Sequence, residues 1–180
     1  SGTFSNTTSA TSTFTGTAGN SYVLSWTIST TNCGASSDNV SISFPQNPST
    51  ANAGSDQNLC GVNSATLAAN IPSIGTGAWS IISGGTGNFS NAAAANSTFT
   101  GIAGNTYTLR WAVSNTPCTS SSDDVSISFP LNPTVSTAGS DQEICGTTSV
   151  TLAANTPLTG TGSWSKISGT GGSFVSTSNP

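Results

Sequence analysis

Phenylalanines stand at positions 4, 89 and 174, an offset of 85 residues, and the other landmarks of the chain keep that offset. Phe14 matches Phe99, Trp26 matches Trp111, Cys33 matches Cys118, and Phe44 matches Phe129. Asp56 matches Asp141, Cys60 matches Cys145, and Trp79 matches Trp164, with no gap needed anywhere. Self-similarity at a fixed period constrains the fold more than any local motif, because whatever one copy folds into, the next must fold into as well. Near-identical copies without insertions point to recent duplication within a long array.

The most informative stretch inside the repeat is TYTLRWAVSN at 106–115, with its copy SYVLSWTIST at 21–30. Tyr107, Leu109, Trp111 and Val113 alternate with Thr106, Thr108, Arg110 and Ala112, and the copy alternates in the same way through Tyr22, Leu24, Trp26 and Ile28. A period of two marks a strand with one face in a core and the other in water. Further short strands are expected around Leu59, over 64–69 (Ala65, Leu67 and Ala69 on one face) and over 78–83 (Trp79 and Ile81). Others are expected at Phe89, over 98–101 around Phe99, and over 124–129 with Val125, Ile127 and Phe129 inward. Six to eight short strands separated by turn signals predict an antiparallel sandwich, and no segment has helical periodicity. The predicted fold is all-β, built from tandem immunoglobulin-like antiparallel β-sandwich repeats of 85 residues.

Proline-rich joints, FPQNPSTANAGSDQ at 44–57 and FPLNPTVSTAGSDQ at 129–142, separate the repeats. Pro45, Pro48, Pro130 and Pro133 lack backbone donors and favour extended chain, so strands end there and a stiff link begins. One complete repeat is expected over 53–137. Residues 1–52 form the second half of a preceding repeat, and 138–180 the first half of a following one. The two end fragments are therefore complementary. Either the segment is cut from a longer chain, which is the simpler account, or neighbouring molecules complete each other by strand exchange. Ser1 begins inside a repeat, so no signal peptide is expected in this segment.

Composition narrows the function. Charged residues are 4% of the chain, against about 25% in ordinary soluble domains. The cations are Arg110 and Lys166, too few to neutralise a nucleic-acid backbone. No apolar run is long enough to span a bilayer, so neither nucleic-acid binding nor membrane insertion is expected of this segment. There is no histidine to act as a base for a Ser or Thr nucleophile. Asp123 and Asp124 are adjacent and point to opposite faces of a strand, which prevents them from acting as a paired acid and base. The glycines and lysine of GTGSWSK at 160–166 lack phosphate-loop spacing and read as a hairpin turn. No enzyme and no resident cofactor are expected.

Two residue sets remain as candidate sites. Asp56, Asp123 and Asp124, with Asp141 and Asp38 as repeat equivalents, are weak calcium candidates, calcium favouring carboxylates and carbonyls. The competing reading is that Asp56 and Asp141 cap turns through their own backbone. The four cysteines form no CxxC pair and read as disulfides, which imply an oxidising, extracellular setting; buried reduced thiols are the alternative. A Cys60–Cys118 bridge would let each repeat fold alone and would constrain the unfolded chain by about 4 kcal/mol. It leaves Cys33 and Cys145 to pair outside this segment or between molecules. The competing scheme joins Cys33 to Cys60 and Cys118 to Cys145 across the joints. Asn6, Asn39, Asn88 and Asn96 match the N-glycosylation pattern, as chance alone produces in so Ser/Thr/Asn-rich a chain.

AGSDQNLCG at 53–61, LAAN at 67–70, GTGAWSIISGG at 75–85, FTG at 99–101, YTLRW at 107–111 and DDVSISF at 123–129 together resemble one family. They are similar to the PKD-like, immunoglobulin-like tandem repeats of giant cell-surface proteins of gliding Bacteroidetes, the SprB-type adhesins. The resemblance covers the whole chain. It implies a sandwich in a long surface-exposed stalk, exported by the type IX secretion system and working in adhesion or surface filaments. It carries over no ligand-binding residue. Gly104-Asn105-Thr106-Tyr107 also resembles a tyrosine corner, although Leu109 stands where an antibody-type cysteine would be.

Three functions follow as expectations. The first is a structural repeat segment, acting as the stalk of a secreted cell-surface adhesin or extracellular fibre, whose partners are neighbouring repeats or copies of itself. The second is a filament subunit that polymerises by half-domain complementation, marked by a bridge between Cys33 and Cys145 of different molecules. The third is a module binding surface glycans or an ice-like surface, which needs an exposed aromatic or a flat Thr array.

Overall fold

The structure, a computed structural model, describes residues 2–176. Its strands in chain order are β1 (Thr3–Phe4), β2 (Phe14–Thr15), β3 (Asn20–Thr30), β4 (Gly34–Phe44), β5 (Gln57–Asn58), β6 (Ser64–Thr66), β7 (Thr76–Ser83), β8 (Asn88–Phe89), β9 (Thr98–Thr100), β10 (Thr106–Ser114) and β11 (Ser121–Ser128). No helix is present among the described residues.

Strands β5 to β11 build one complete sandwich. A four-stranded sheet in the order β5-β11-β10-β7 faces a three-stranded sheet in the order β6-β9-β8. The alternation along 106–114 does the work expected of it, since Tyr107, Leu109, Trp111 and Val113 are all buried between the sheets. Trp111 lies opposite Trp79 on β7, with ring centroids 5.1 Å apart. Phe99 of the smaller sheet meets Tyr107 edge-on at 4.9 Å and stacks near Phe129 at 6.4 Å. Each such aromatic removes a large apolar area from water, worth about 1.5–3 kcal/mol per side chain. These rings bind the two sheets together.

Two glycines are required by this packing. Gly77 lies beneath the Trp111 ring, where any Cβ would overlap ring carbons. Gly84 has φ +108° and lies against the Thr106 carbonyl, next to the register shift where β7 leaves β10. Only glycine combines that dihedral with that approach.

The tyrosine corner is present. The Tyr107 hydroxyl accepts a bond from Ile102 N at 2.8 Å and donates to Thr86 O at 3.0 Å. The same corner recurs at Tyr22, whose hydroxyl accepts from Thr17 N at 3.0 Å. That bond stabilises the phenolate and holds the Tyr22 pKa below its ordinary value.

The sandwich is not wholly antiparallel, because β5 runs parallel to β11, with Ile127 opposite Gln57. The incoming chain, 49–61, travels along the free edge of β11 in the direction of that strand. Side chains hold it before the backbone ladder begins: Ala51 N donates to Ser121 Oγ at 2.9 Å, and Ala53 N to Asp123 Oδ2 at 2.8 Å. Leu59 N then bonds Ser128 O, and Gly61 N bonds Pro130 O at 3.0 Å. The chain therefore enters at the pole holding Ser49, Ile74 and Ser121, and leaves at the pole holding Gly61 and Pro130.

The two ends of the chain are halves of the same design. In the first half β1 pairs with β2 and β3 with β4, reproducing β8 with β9 and β10 with β11. The described part of the last half forms no strands but keeps the hydrogen bonds of the incoming segment. Thr134 N bonds Thr159 O as Ser49 N bonds Ile74 O, and Asn155 Nδ2 bonds Val135 O as Asn70 Nδ2 bonds Thr50 O. The alternation along 21–30 does form a strand, but its apolar face is largely uncovered. Trp26 is 43% exposed and Ile28 63%, against 1% for Trp111 and 0% for Val113. The covering strands, the counterparts of β5, β6 and β7, are not packed on it.

Candidate functional site at the joints and open faces

The three calcium candidates do not converge. Asp123 Oδ2 accepts from Ala53 N, and Asp56 Oδ1 accepts from Ser126 N at 2.8 Å, so both carboxylates tie the incoming strand to β11. Asp56 thus bonds another strand rather than its own turn. Asp124 faces the other way and holds Arg110 in a two-pronged pair, Nε to Oδ1 at 2.7 Å and Nη2 to Oδ2 at 2.8 Å. These residues are directly opposed across β10 and β11. The guanidinium hydrogen bond holds the Asp124 carboxyl below its usual range, and the same bond raises Arg110 above its own. The pair is unique to this repeat, Ser25 and Asn39 occupying the equivalent places. Among the described residues, no group of three or more His, Cys, Asp or Glu is arranged to hold a metal ion.

The cysteines lie at the joints. Cys118, just beyond β10, approaches Pro45 O at 3.8 Å, and its neighbour Asn115 donates Nδ2 to Gln46 O at 2.7 Å. Cys60 is at the opposite pole, 3.9 Å from Leu131 O and 3.5 Å from Asn132 Oδ1. The nine residues of β10 run from pole to pole, about 27–30 Å at about 3.3 Å per residue. A disulfide needs Cα atoms within about 7 Å, so the structure does not bring Cys60 and Cys118 of one repeat together. All four cysteines are free thiols. A Cys33–Cys145 bridge fails on the same ground, because these two occupy the Cys118 and Cys60 places of one repeat.

Cys33 differs from Cys118 in one instructive way. No counterpart of Pro45 and Gln46 leans on it, and the residues before and after it extend the ladder of β3 and β4 to Thr30 opposite Gly34. In the complete repeat the ladder stops at Val113 opposite Ser121, and the loop that follows turns to the joint. The two loops also differ in local sequence, Pro117 and Thr119 standing where the first half has Asn32 and Gly34, the latter at φ +84°.

The open half-sandwiches are the other feature. In the last half a cavity of about 580 Å³ is lined by Pro133, Thr134, Ala154, Gly162 and Trp164 among others. Gly162 is the counterpart of Gly77, and nothing lies within 4 Å of the place a Cβ would take there. In the complete repeat that place belongs to the Trp111 ring, and Trp26 is the counterpart of Trp111.

Trp79 and Trp111 are core residues, as their inward phase predicts, and offer no exposed sugar platform. The outward face of β10 and β11 carries hydroxyls, with Thr106 Oγ1 and Ser128 Oγ 2.9 Å apart. No helix is long and apolar enough to cross a membrane among the described residues. No family model matches the chain, and no curated protein matches it.

Sequence reasoning linked the cysteines to the complementary halves and weighed pairing across the joints, but did not foresee the joint carbonyls that Cys60 and Cys118 approach. The available signal was the repeat itself, since comparing joint with joint shows which repeat touches which carbonyl.

Proposed function

We propose that the chain is a non-enzymatic structural segment of a long extracellular fibre or cell-surface adhesin stalk. One observation carries this reading: the chain enters the sandwich at one pole and leaves at the other, and the sandwich bonds to the joint at both ends. Asn115 holds Gln46 O on one side, and Gly61 N holds Pro130 O on the other. Repeats built in this way are strung head to tail, each docked on the proline-rich link to the next. The nearly uncharged hydroxyl surface, the joint cysteines and the resemblance to SprB-type surface repeats support an extracellular rod exported by the type IX system. Immunogold labelling of intact source cells tests this. Label on filaments or at the cell surface, removed by external protease, is expected; label seen only after lysis overturns the reading.

A second reading is favoured by the complementarity of the two halves. In the complete repeat β10 and β11 pack with β5, β6 and β7, and residues 138–170 hold the counterparts of those strands for β3 and β4. Phe4 already occupies the place of Phe89, through the pairing of β1 with β2. Copies of the chain then complete each other by half-domain complementation. Sedimentation velocity on the chain separates the outcomes: growth with concentration supports exchange, and a monomer at all concentrations opposes it. Binding of surface glycans has only the outward Ser/Thr face in its favour.

A further inference from the structure

Each joint offers two backbone carbonyls, reached by the following repeat at one joint and by the preceding repeat at the other. Ahead of the complete sandwich, the following repeat reaches Pro45 O through Cys118 Sγ at 3.8 Å and Gln46 O through Asn115 Nδ2 at 2.7 Å. Behind the sandwich the counterparts are Pro130 O and Leu131 O. There the preceding repeat reaches them, through Gly61 N at 3.0 Å and Cys60 Sγ at 3.9 Å. Overlaying one joint on the other, 45 on 130 and 46 on 131, places two sulfurs on the same pair of peptide units. One comes from the Cys60 place of the preceding repeat and the other from the Cys118 place of the following repeat. At each joint the described residues supply one of the two sulfurs, and all four cysteines are free.

We infer that successive repeats are stapled by a disulfide from the Cys60 place of one to the Cys118 place of the next. The inference rests on the complementation reading, in which residues 2–44 of a second copy complete the last half of the first. In that composite repeat the Cys118 place is filled by Cys33 of the second copy, so it meets Cys60 of the first. The Cys60 place is filled by Cys145 of the first copy, which meets Cys118 of the second. Every cysteine is used, and each contact between copies carries two bridges.

Each bridge forms by thiol–disulfide exchange with a disulfide oxidant of an oxidising compartment, of the glutathione-disulfide or protein-disulfide class. One thiolate attacks the oxidant's S–S bond and expels one thiol. The facing thiolate then attacks the mixed disulfide and expels the second. The two cysteines lose two protons and two electrons, and the oxidant's S–S bond becomes two thiols. The bridges close no loop within a chain, so they act on the length and strength of the fibre rather than on the stability of one sandwich.

The test mixes equal amounts of unlabelled and heavy-nitrogen-labelled chain, adds glutathione disulfide, blocks remaining thiols and maps the cross-linked peptides by mass spectrometry. The expected products are Cys33–Cys60 and Cys118–Cys145, with mixed-isotope bridges in statistical proportion. The same pairs without mixed isotopes are bridges within one chain and overturn the inference, as do Cys60–Cys118 or Cys33–Cys145. Free or glutathionylated cysteines on chains that sediment as polymers overturn the staple and leave complementation intact; free cysteines on monomers overturn both. The Cys33→Ser variant keeps only Cys118–Cys145 and is expected to reduce non-reducing polymer ladders without stopping assembly. Unchanged ladders, with Cys60 still bridged, overturn the pairing.

Discussion

Substituting alanine at Gly77 and at Gly162 applies one chemical change to two copies of the same place, one filled and one open. At Gly77 the new methyl meets the Trp111 ring, which is 1% exposed and backed by Trp79 at 5.1 Å, so the ring has nowhere to go. Overpacking of a filled core costs about 1–3 kcal/mol. Replacing glycine inside a strand returns about 0.5–1 kcal/mol. A net loss of about 1–2 kcal/mol lowers the melting temperature of a repeat this size by about 5–15 °C. At Gly162 nothing lies within 4 Å, so the melting temperature of the isolated chain stays at the wild-type value. The cost appears on assembly, where the methyl occupies the slot meant for Trp26 of the second copy. The same 1–3 kcal/mol then weakens association about 5–150-fold. Thermal unfolding by circular dichroism reads the first effect, and sedimentation velocity the second. Wild-type melting of Gly77→Ala refutes the packing argument. Wild-type assembly of Gly162→Ala refutes the equivalence of the open and filled places.

Three other outcomes follow from the same geometry. Trp111→Ala empties the centre of the sandwich and costs about 3–5 kcal/mol in denaturant unfolding, whereas Trp26→Ala leaves the isolated chain nearly unchanged and abolishes assembly. Tyr107→Phe strands Ile102 N and Thr86 O and costs about 1–3 kcal/mol by the same unfolding measurement, with the sandwich retained. Asp124 has a lowered folded-state pKa, so its contribution is present above the ordinary carboxylate range and is lost as pH falls through the folded value. Both side chains of the pair are substantially exposed and the effect is small; urea midpoints of Asp124→Asn and wild type are expected to converge in acid and separate slightly near neutral pH.

The long strand was legible because its period of two survives every substitution between the copies: Tyr107, Leu109, Trp111 and Val113 needed no further information. The parallel course of β5 was not legible. Its ladder covers two residues, and side chains of Ser121, Asp123 and Asp56 hold the chain around it. Carboxylates that tether a strand edge have the same sequence signature as sparse calcium ligands, and only the positions of their donors separate the two. The cysteines misled for another reason. Cys60 and Cys118 belong to one repeat, but strand β10 carries the chain from one pole to the other between them. Periodicity shows which face of 21–30 is apolar and not whether anything covers it; the exposure of Trp26 and Ile28 is read instead from the repeat bounds, which make 1–52 half a repeat.

Cryo-electron microscopy of the assembled chain tests the head-to-tail account most directly. The incoming strand, 49–61, and the link, 130–134, together span about 50–60 Å at about 3.1–3.3 Å per residue. The account predicts fibres one sandwich wide with an axial period in that range, each sandwich joined pole to pole with the next. Laterally stacked sheets, or discrete globular particles with no axial period, would contradict it.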